Sequence, residues 1–156
     1  MGIEILVFEV EGQQFGVRSA DVVQVLRAAS LSPLPQAPES IEGVLNLRGS
    51  LVPVLDTRRL LGLPAKEMQH TDHLIVVIAG GQVVTLRADR ATNLVRLESD
   101  QTEAAQPDAH LHVIDFVAKT SAGLVHVLDP QRLLSDQAVG TIVKALAQRT
   151  ATEVTR

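Results

Sequence analysis

Two aspartates hold the positions from which this chain could do chemistry. Asp56 and Asp129 each end an apolar run, LVPVL at 51–55 and LVHVL at 124–128, so each half of the chain offers a carboxylate at the end of a strand. A paired-carboxylate hydrolase is built from such a pair. Aspartic hydrolases place a glycine two residues after each aspartate, so that the loop can approach its twin. Here Asp56-Thr57 runs into Arg58, and Asp129 runs into Pro130-Gln131. Helix capping explains both aspartates without further assumption, because a carboxylate there accepts the free N–H groups of a first turn and Pro130 suits the first helical position. Four of the five histidines come in two close pairs, His70 with His73 and His110 with His112, a spacing that raises zinc. No third ligand follows at a recognisable spacing, and solvated imidazoles are expected. Gly80-Gly81 reads as a hairpin turn, since no Gly-x-x-x-x-Gly-Lys pattern follows to cradle a phosphate. No cofactor or metal is implied.

Composition narrows the function classes further. The 156 residues are 46% hydrophobic, enough for a packed core. Cysteine is absent, which removes disulfides and thiolate chemistry and agrees with a cytoplasmic setting. A net charge of −4 argues against binding along phosphate backbones. With three Phe and no Tyr or Trp, a platform for stacking bases or sugars is hard to assemble. The first residues lack a basic region ahead of an apolar stretch, so no secretory signal is expected. No apolar run approaches the roughly 20 residues of a membrane span.

The elements that position these residues come twice. LVPVLDTRRLL at 51–61 returns as LVHVLDPQRLL at 124–134, differing only at 53/126, 57/130 and 58/131. An echo 73 positions apart points to a duplicated unit. Placing Gly12-Gln13 over Gly81-Gln82 also aligns Arg18 with Arg87 and Arg27 with Arg96. Period-two alternation predicts strands at 4–10, 14–18, 22–27, 43–47 and 51–56 in the first half. In the second it predicts them at 73–79, 82–87, 93–98, 110–119 and 123–128. Ser19 is expected to cap a short helical turn. Pro33, Pro35 and Pro38 make 30–38 an extended crossing. Single helical turns are expected at 38–42 and 89–92, and a polar loop at 99–109. Pro53 places its strand at a sheet edge or bulge. After residue 136 a helix carries Val139, Ile142, Val143 and Leu146 on one stripe. Arg58, Arg59 and Arg132 are expected on the solvated sides of two short helices. Arg48 sits on a turn, where its planar fork could meet a partner's carboxylate.

Read together, VVQVLR at 22–27, the Pro35-x-x-Pro38 stretch and GVLNLRGSLVPVLD at 43–56 resemble the CheW-type chemotaxis coupling proteins. Their motif runs approximately G-V-x-N-L-R-G-x-x-V-P-V-x-D, and every fixed position is met from Gly43 to Asp56. The resemblance implies a mainly β fold of two SH3-like five-stranded barrels with short helices and a C-terminal α-helix. The expected division is a first barrel over 14–72, with room for a strand swapped in from the C-terminal part, a second over 73–135 that could take in strand 4–10, and a helix at 136–150. It also implies a non-enzymatic, cytoplasmic adaptor that links the cytoplasmic tips of transmembrane chemoreceptors to the regulatory domain of a CheA-type histidine kinase, with no nucleic acid bound and no membrane insertion. A coupling protein of a non-chemotaxis pathway, such as surface sensing or pilus motility, is the alternative, with the Asp56/Asp129 hydrolase behind it. Carried onto this sequence, the receptor- and kinase-binding residues are Val22, Gln24, Val25, Gly43, Asn46, Arg48 and Gly49. Relatives usually carry an acid at the place of Gln24, so a charge pair with Arg48 would become a neutral hydrogen bond. The usual glycines near 85–87 and 116–118 are replaced by Thr85-Leu86-Arg87 and Phe116-Val117-Ala118.

Overall fold

Both halves fold as their alternation predicts, but they exchange strands. The computed structural model of the chain describes residues 2–104, 112–134 and 137–154. The first half supplies β1 (Ile3–Val10), β2 (Gln13–Arg18), β3 (Val22–Arg27), β4 (Ile41–Leu47), β5 (Ser50–Leu55) and a one-turn helix α1 (Thr57–Leu60). The second supplies β6 (His73–Ala79), β7 (Gln82–Ala88), β8 (Arg90–Leu97), β9 (Thr102–Ala104), β10 (Ile114–Thr120), β11 (Gly123–Leu128) and α2 (Pro130–Leu133), followed by α3 (Gln137–Val154). One sheet runs β8-β1-β2-β11-β10-β9 and the other β3-β6-β7-β5-β4. Each opening hairpin therefore joins the opposite half, through a parallel ladder of β2 with β11 in one sheet and of β7 with β5 in the other. The sheets accordingly do not divide at residue 72: β2 lies with the second half, and β6 and β7 lie with the first.

Burial explains the exchange. On β1, Ile5 and Val7 enter a cluster with Leu97, Phe116, Val125 and Val127 inside the six-stranded sheet. Leu6, Phe8 and Val10, on the other face, enter a larger cluster shared with Ile75, Val77, Val84 and Leu86 of the five-stranded sheet. Leu45, Val54 and Leu74 form a third, within the five-stranded sheet. A half of this length would leave one face of its hairpin in water, so the two halves are expected to fold as one unit. α3 lays Val139, Val143 and Leu146 against the body, as its stripe predicts. Among the described residues, no helix is long and apolar enough to cross a membrane.

Bulges repeat with the sequence. The register of β3 skips Val23 and that of β8 skips its counterpart Thr92; β4 skips Glu42 and β10 skips Asp115. At the second pair, an arginine from the neighbouring half reaches the bulged acid. Arg87 Nε donates to Glu42 at 2.8 Å, and Arg18 Nη2 donates to Asp115 at 2.7 Å. A bulge re-aims a side chain, and here it turns two acids towards two duplicated arginines.

Several local expectations are corrected. The turn at 19–21 is preceded by Arg18, and no side chain caps it, so Ser19 is its first residue and not its cap. At 38–42 a single hydrogen bond from Ile41 N to Pro38 O leads directly into β4. No helical turn forms at 89–92: β8 starts at Arg90, Thr92 Oγ1 donates to Val7 O at 3.0 Å, and Asp89 is occupied elsewhere. β5 is not an edge strand. Pro53 stands one residue before the β5–β7 ladder begins at Val54, where its missing N–H takes no bond from that ladder. The expected polar loop over 99–109 is, in its described part, a 3-10 turn followed by β9, and the strand expected from 110 starts at Ile114. His110 and residues 105–109 lie outside the described residues.

Arg58 is the largest correction, for it is buried and only 3% exposed. Its guanidinium reaches Glu11 on the β1–β2 turn, Asp89 at 2.8 Å and Pro64 O at 3.1 Å. Asp89 Oδ2 also accepts from Glu11 N at 2.9 Å. Burial pushes the Asp89 carboxyl up, but the hydrogen bonds from Arg58 and the Glu11 backbone, with the charge of Arg58, outweigh it and hold it below its ordinary value. Arg59 and Arg132 remain exposed, as expected.

Candidate docking surface

The two copies of the hairpin β4–β5 and β10–β11 turn differently, and the difference singles out Arg48. Leu47 pairs with Ser50, and both residues between them have positive φ, 53° at Arg48 and 88° at Gly49. That is a type I′ turn, whose twist matches the flanking strands. Glycine meets this demand freely; arginine does not. Asn46 closes the turn by accepting from Gly49 N at 2.9 Å. In the second copy the loop is Ser121-Ala122, and Thr120 Oγ1 accepts from Ala122 N at 3.2 Å, with positive φ only at Gly123. Arg48 is thus an unrepeated cation held in a costly backbone conformation, exposed and without an ion pair among the described residues. Strain of this kind clusters at functional positions.

The other candidate residues separate into those facing partners and those facing the protein. Val25 is 39% exposed, whereas Val22 packs against the inter-sheet cluster and Gln24 is half-buried. No hydrogen bond forms between Gln24 and Arg48, so the pairing expected of them is absent. Gly43 is buried, and a Cβ there would stand 2.8 Å from Ser32 O and 3.0 Å from Leu31 Cβ. Its role is to let the proline-rich crossing approach, where Ser32 and Val44 exchange backbone bonds of 2.9 and 2.8 Å. At its counterpart in the repeat, Phe116 instead fills the interior of the six-stranded sheet, with the Arg18 guanidinium 5.3 Å above its ring. Gly43→Ala is expected to cost about 1–3 kcal/mol by displacing backbone, read as a lower denaturant midpoint, while Gly49→Asn is tolerated. Equal losses for both would refute the close-approach reading.

Sequence reasoning missed Val23, at 47% the more exposed of the two surface valines of β3, and Leu94, at 57% the counterpart of Val25 on β8. Alternation puts Val23 on the same face as Val25, and both are exposed, so the period-two pattern could have found it. The duplication could have exposed Leu94. Asp56 and Asp129 cap α1 and α2 as expected, accepting from Arg59 N at 3.2 Å and Gln131 N at 3.0 Å. His73 Nδ1 accepts from Ala91 N at 3.2 Å, and the His126 ring lies 5.9 Å from that of Phe15. Among the described residues no three His, Asp or Glu are grouped to hold a metal.

Exposed aliphatics, an arginine in no ion pair among the described residues on a hairpin closed by Asn46, and carboxylates committed to caps describe a docking module built on a duplicated β body. The chain belongs to the CheW-like domain family, whose match spans residues 4–138. It is 29% identical over 122 residues to the chemotaxis protein CheW of Thermotoga maritima, covering 78% of this chain and 76% of that one. It is 37% identical over 94 residues to Protein FrzA of Myxococcus xanthus, covering 60% and 59%. The crystal structure of the scaffolding protein TtCheW from Thermoanaerobacter tengcongensis superposes with a TM-score of 0.77 at 26% identity, over 82% of this chain and 89% of that one. The fold is accordingly mainly β, with two SH3-like subdomains.

Proposed function

We infer that this chain is a non-enzymatic cytoplasmic adaptor that holds a transmembrane chemoreceptor's cytoplasmic tip and the regulatory domain of a CheA-type histidine kinase at the same time. The observation that carries the reading is Arg48, unrepeated and in no ion pair among the described residues, next to Leu47, which lines one groove with the exposed Val23 of β3, on a chain of CheW-like family. Apolar contact at Val23 and Val25 supplies affinity, and the guanidinium orients a partner carboxylate. The kinase domain, built on the same barrels, is met by a strand edge and its apolar side chains. Small, exchangeable interfaces let the receptor's state alter the kinase's position without the adaptor making a bond. A hydrolase reading has lost its support, since both aspartates are spent on caps. A second output, surface sensing or pilus motility, draws on the identity with Protein FrzA, a relative not named for chemotaxis.

The test is reconstitution from a soluble receptor-tip fragment, the kinase regulatory domain and this protein, followed by sedimentation. A ternary complex is expected, and failure to bind either partner overturns the reading. Arg48→Asn keeps the turn, because asparagine accepts positive φ, and is expected to weaken the receptor fragment about tenfold with kinase binding retained. Unchanged receptor affinity would discard the role of Arg48.

A further inference from the structure

A hydrogen bond crosses between the two sheets through a side chain that takes up a proton near neutral pH. β8 is an edge strand laddered to β1, and its register skips Thr92. Just before that bulge, Ala91 N donates to His73 Nδ1 at 3.2 Å, and His73 begins β6 of the five-stranded sheet. An imidazole nitrogen accepts only while it carries no proton, so this bond requires a neutral ring with its hydrogen on Nε2. The duplication shows that the acceptor is particular to one copy. The counterpart of Ala91 is Val22, whose N–H donates to Ser19 O inside its own turn. The counterpart of His73 is Glu4, which is exposed. The first copy thus satisfies the equivalent N–H with a carbonyl, which does not titrate, and the second with an imidazole, which titrates between about pH 5 and 8.

We propose that His73 is a pH-operated latch between the sheets: the neutral ring fastens the start of β8 to β6, and the imidazolium releases it. A second proton on the ring sits at Nδ1 and meets the Ala91 N–H donor to donor, so the ring must turn away. The charges around the ring do not offset that loss. Its register partners are Arg27 on β3, a cation in no ion pair among the described residues, and Ala88 on β7. Asp72, its neighbour in sequence, is committed to Arg87 at 3.2 Å, and Asp89, between β7 and β8, to Arg58 at 2.8 Å. Glu9 on β1 accepts from Arg90 of β8 at 3.0 Å. None of these carboxylates is left to draw the imidazolium into place. Arg58, which joins α1 to Glu11 and Asp89, keeps the sheets together when the latch opens. The release is therefore local to the start of β8, three residues before the exposed Leu94. The latch acts on the fold and is independent of the adaptor reading.

Amide hydrogen exchange followed by NMR tests the latch on the full-length protein at about pH 7.5 and 5.5, each rate corrected for the pH dependence of an unprotected amide. The protection of Ala91 N–H is expected to fall about fivefold at the lower pH, the effect of losing one ordinary hydrogen bond. Val22 N–H, held by a carbonyl, is expected to keep its protection. His73→Asn places an amide oxygen close to the position of Nδ1, an acceptor at either pH, and its Ala91 is expected to be equally protected at both. His73→Phe keeps a ring without an acceptor, and its Ala91 is expected to be poorly protected at both. Circular dichroism establishes that the variants are folded, and the comparison within the unaltered protein depends on neither. Equal protection of Ala91 at the two pH values in the unaltered protein would overturn the latch, as would an equal fall at Val22, which marks a general loosening. A fall in the Asn variant as large as in the unaltered protein would give the effect to another titrating group, such as the exposed His70, and overturn it too.

Discussion

Arg87→Met is expected to lower the free energy of unfolding by about 3–5 kcal/mol, while the same change at its repeat counterpart, Arg18→Met, costs about 1 kcal/mol. The pairings are homologous and the burial is not. Arg87 is 4% exposed and donates to Glu42 at 2.8 Å, to Asp72 at 3.2 Å and to Lys66 O at 2.6 Å. The Asp72 carboxylate is itself buried, so deleting the guanidinium strands it in a low-dielectric interior. Glu42 loses its counterion as well, although burial already pushes its carboxyl up against the opposing pull of Arg87. Arg18 is about a third exposed, and water can replace its contacts with Asp115 and the Phe116 ring. Denaturant titration measures both, and the Arg87 variant should also melt on the order of 10 °C lower. Equal losses would show that position in the repeat, and not burial, sets the cost.

The second large effect belongs to Asp89 and depends on pH. Its folded-state pKa is lowered, so the stability it contributes is present above the ordinary carboxylate value of about 4 and is lost as pH falls through the lowered folded value. Glu42 has the opposite sign: its raised value favours the folded state at lower pH, and that contribution fades as pH rises through the raised value. Asp89→Asn should therefore cost about 2–4 kcal/mol at pH 7, because buried Arg58 keeps only the half-exposed Glu11 as counterion. The gap to the unaltered protein should narrow steadily as the pH falls below about 4. Urea unfolding at pH 7, 5 and 3 measures it. A gap as wide at pH 3 as at pH 7 would mean that Asp89 acts through packing and not through its charge.

The candidate site was partly readable in advance. The Arg48-Gly49 turn follows from residue type, since Gly49 between two apolar runs marks a tight hairpin, and Asn46 closes it locally. Val25 stands on the surface. Val22 and Gly43 were assigned with it and face inward, because a motif records which residues occur together and not whether each touches a partner or the protein itself. Val23 shares its exposed face with Val25 by simple alternation and was legible from it, whereas the bulge that takes Val23 out of the ladder with β6 depends on the partner strand and was not. The ionic clusters escaped for a related reason: Arg58 meets Asp89 and Arg87 meets Glu42 only across strands distant in sequence.

By itself the sequence determined the duplication, the strand periods, the two aspartate caps and the hairpin that presents Arg48, since each is set by neighbours within a few residues. Only the tertiary structure decided the exchange of hairpins between sheets, the burial of Arg58 and Arg87, and the packing of α3 against β5 and β7. These depend on which apolar faces can be covered together, and that is a property of the whole packed chain.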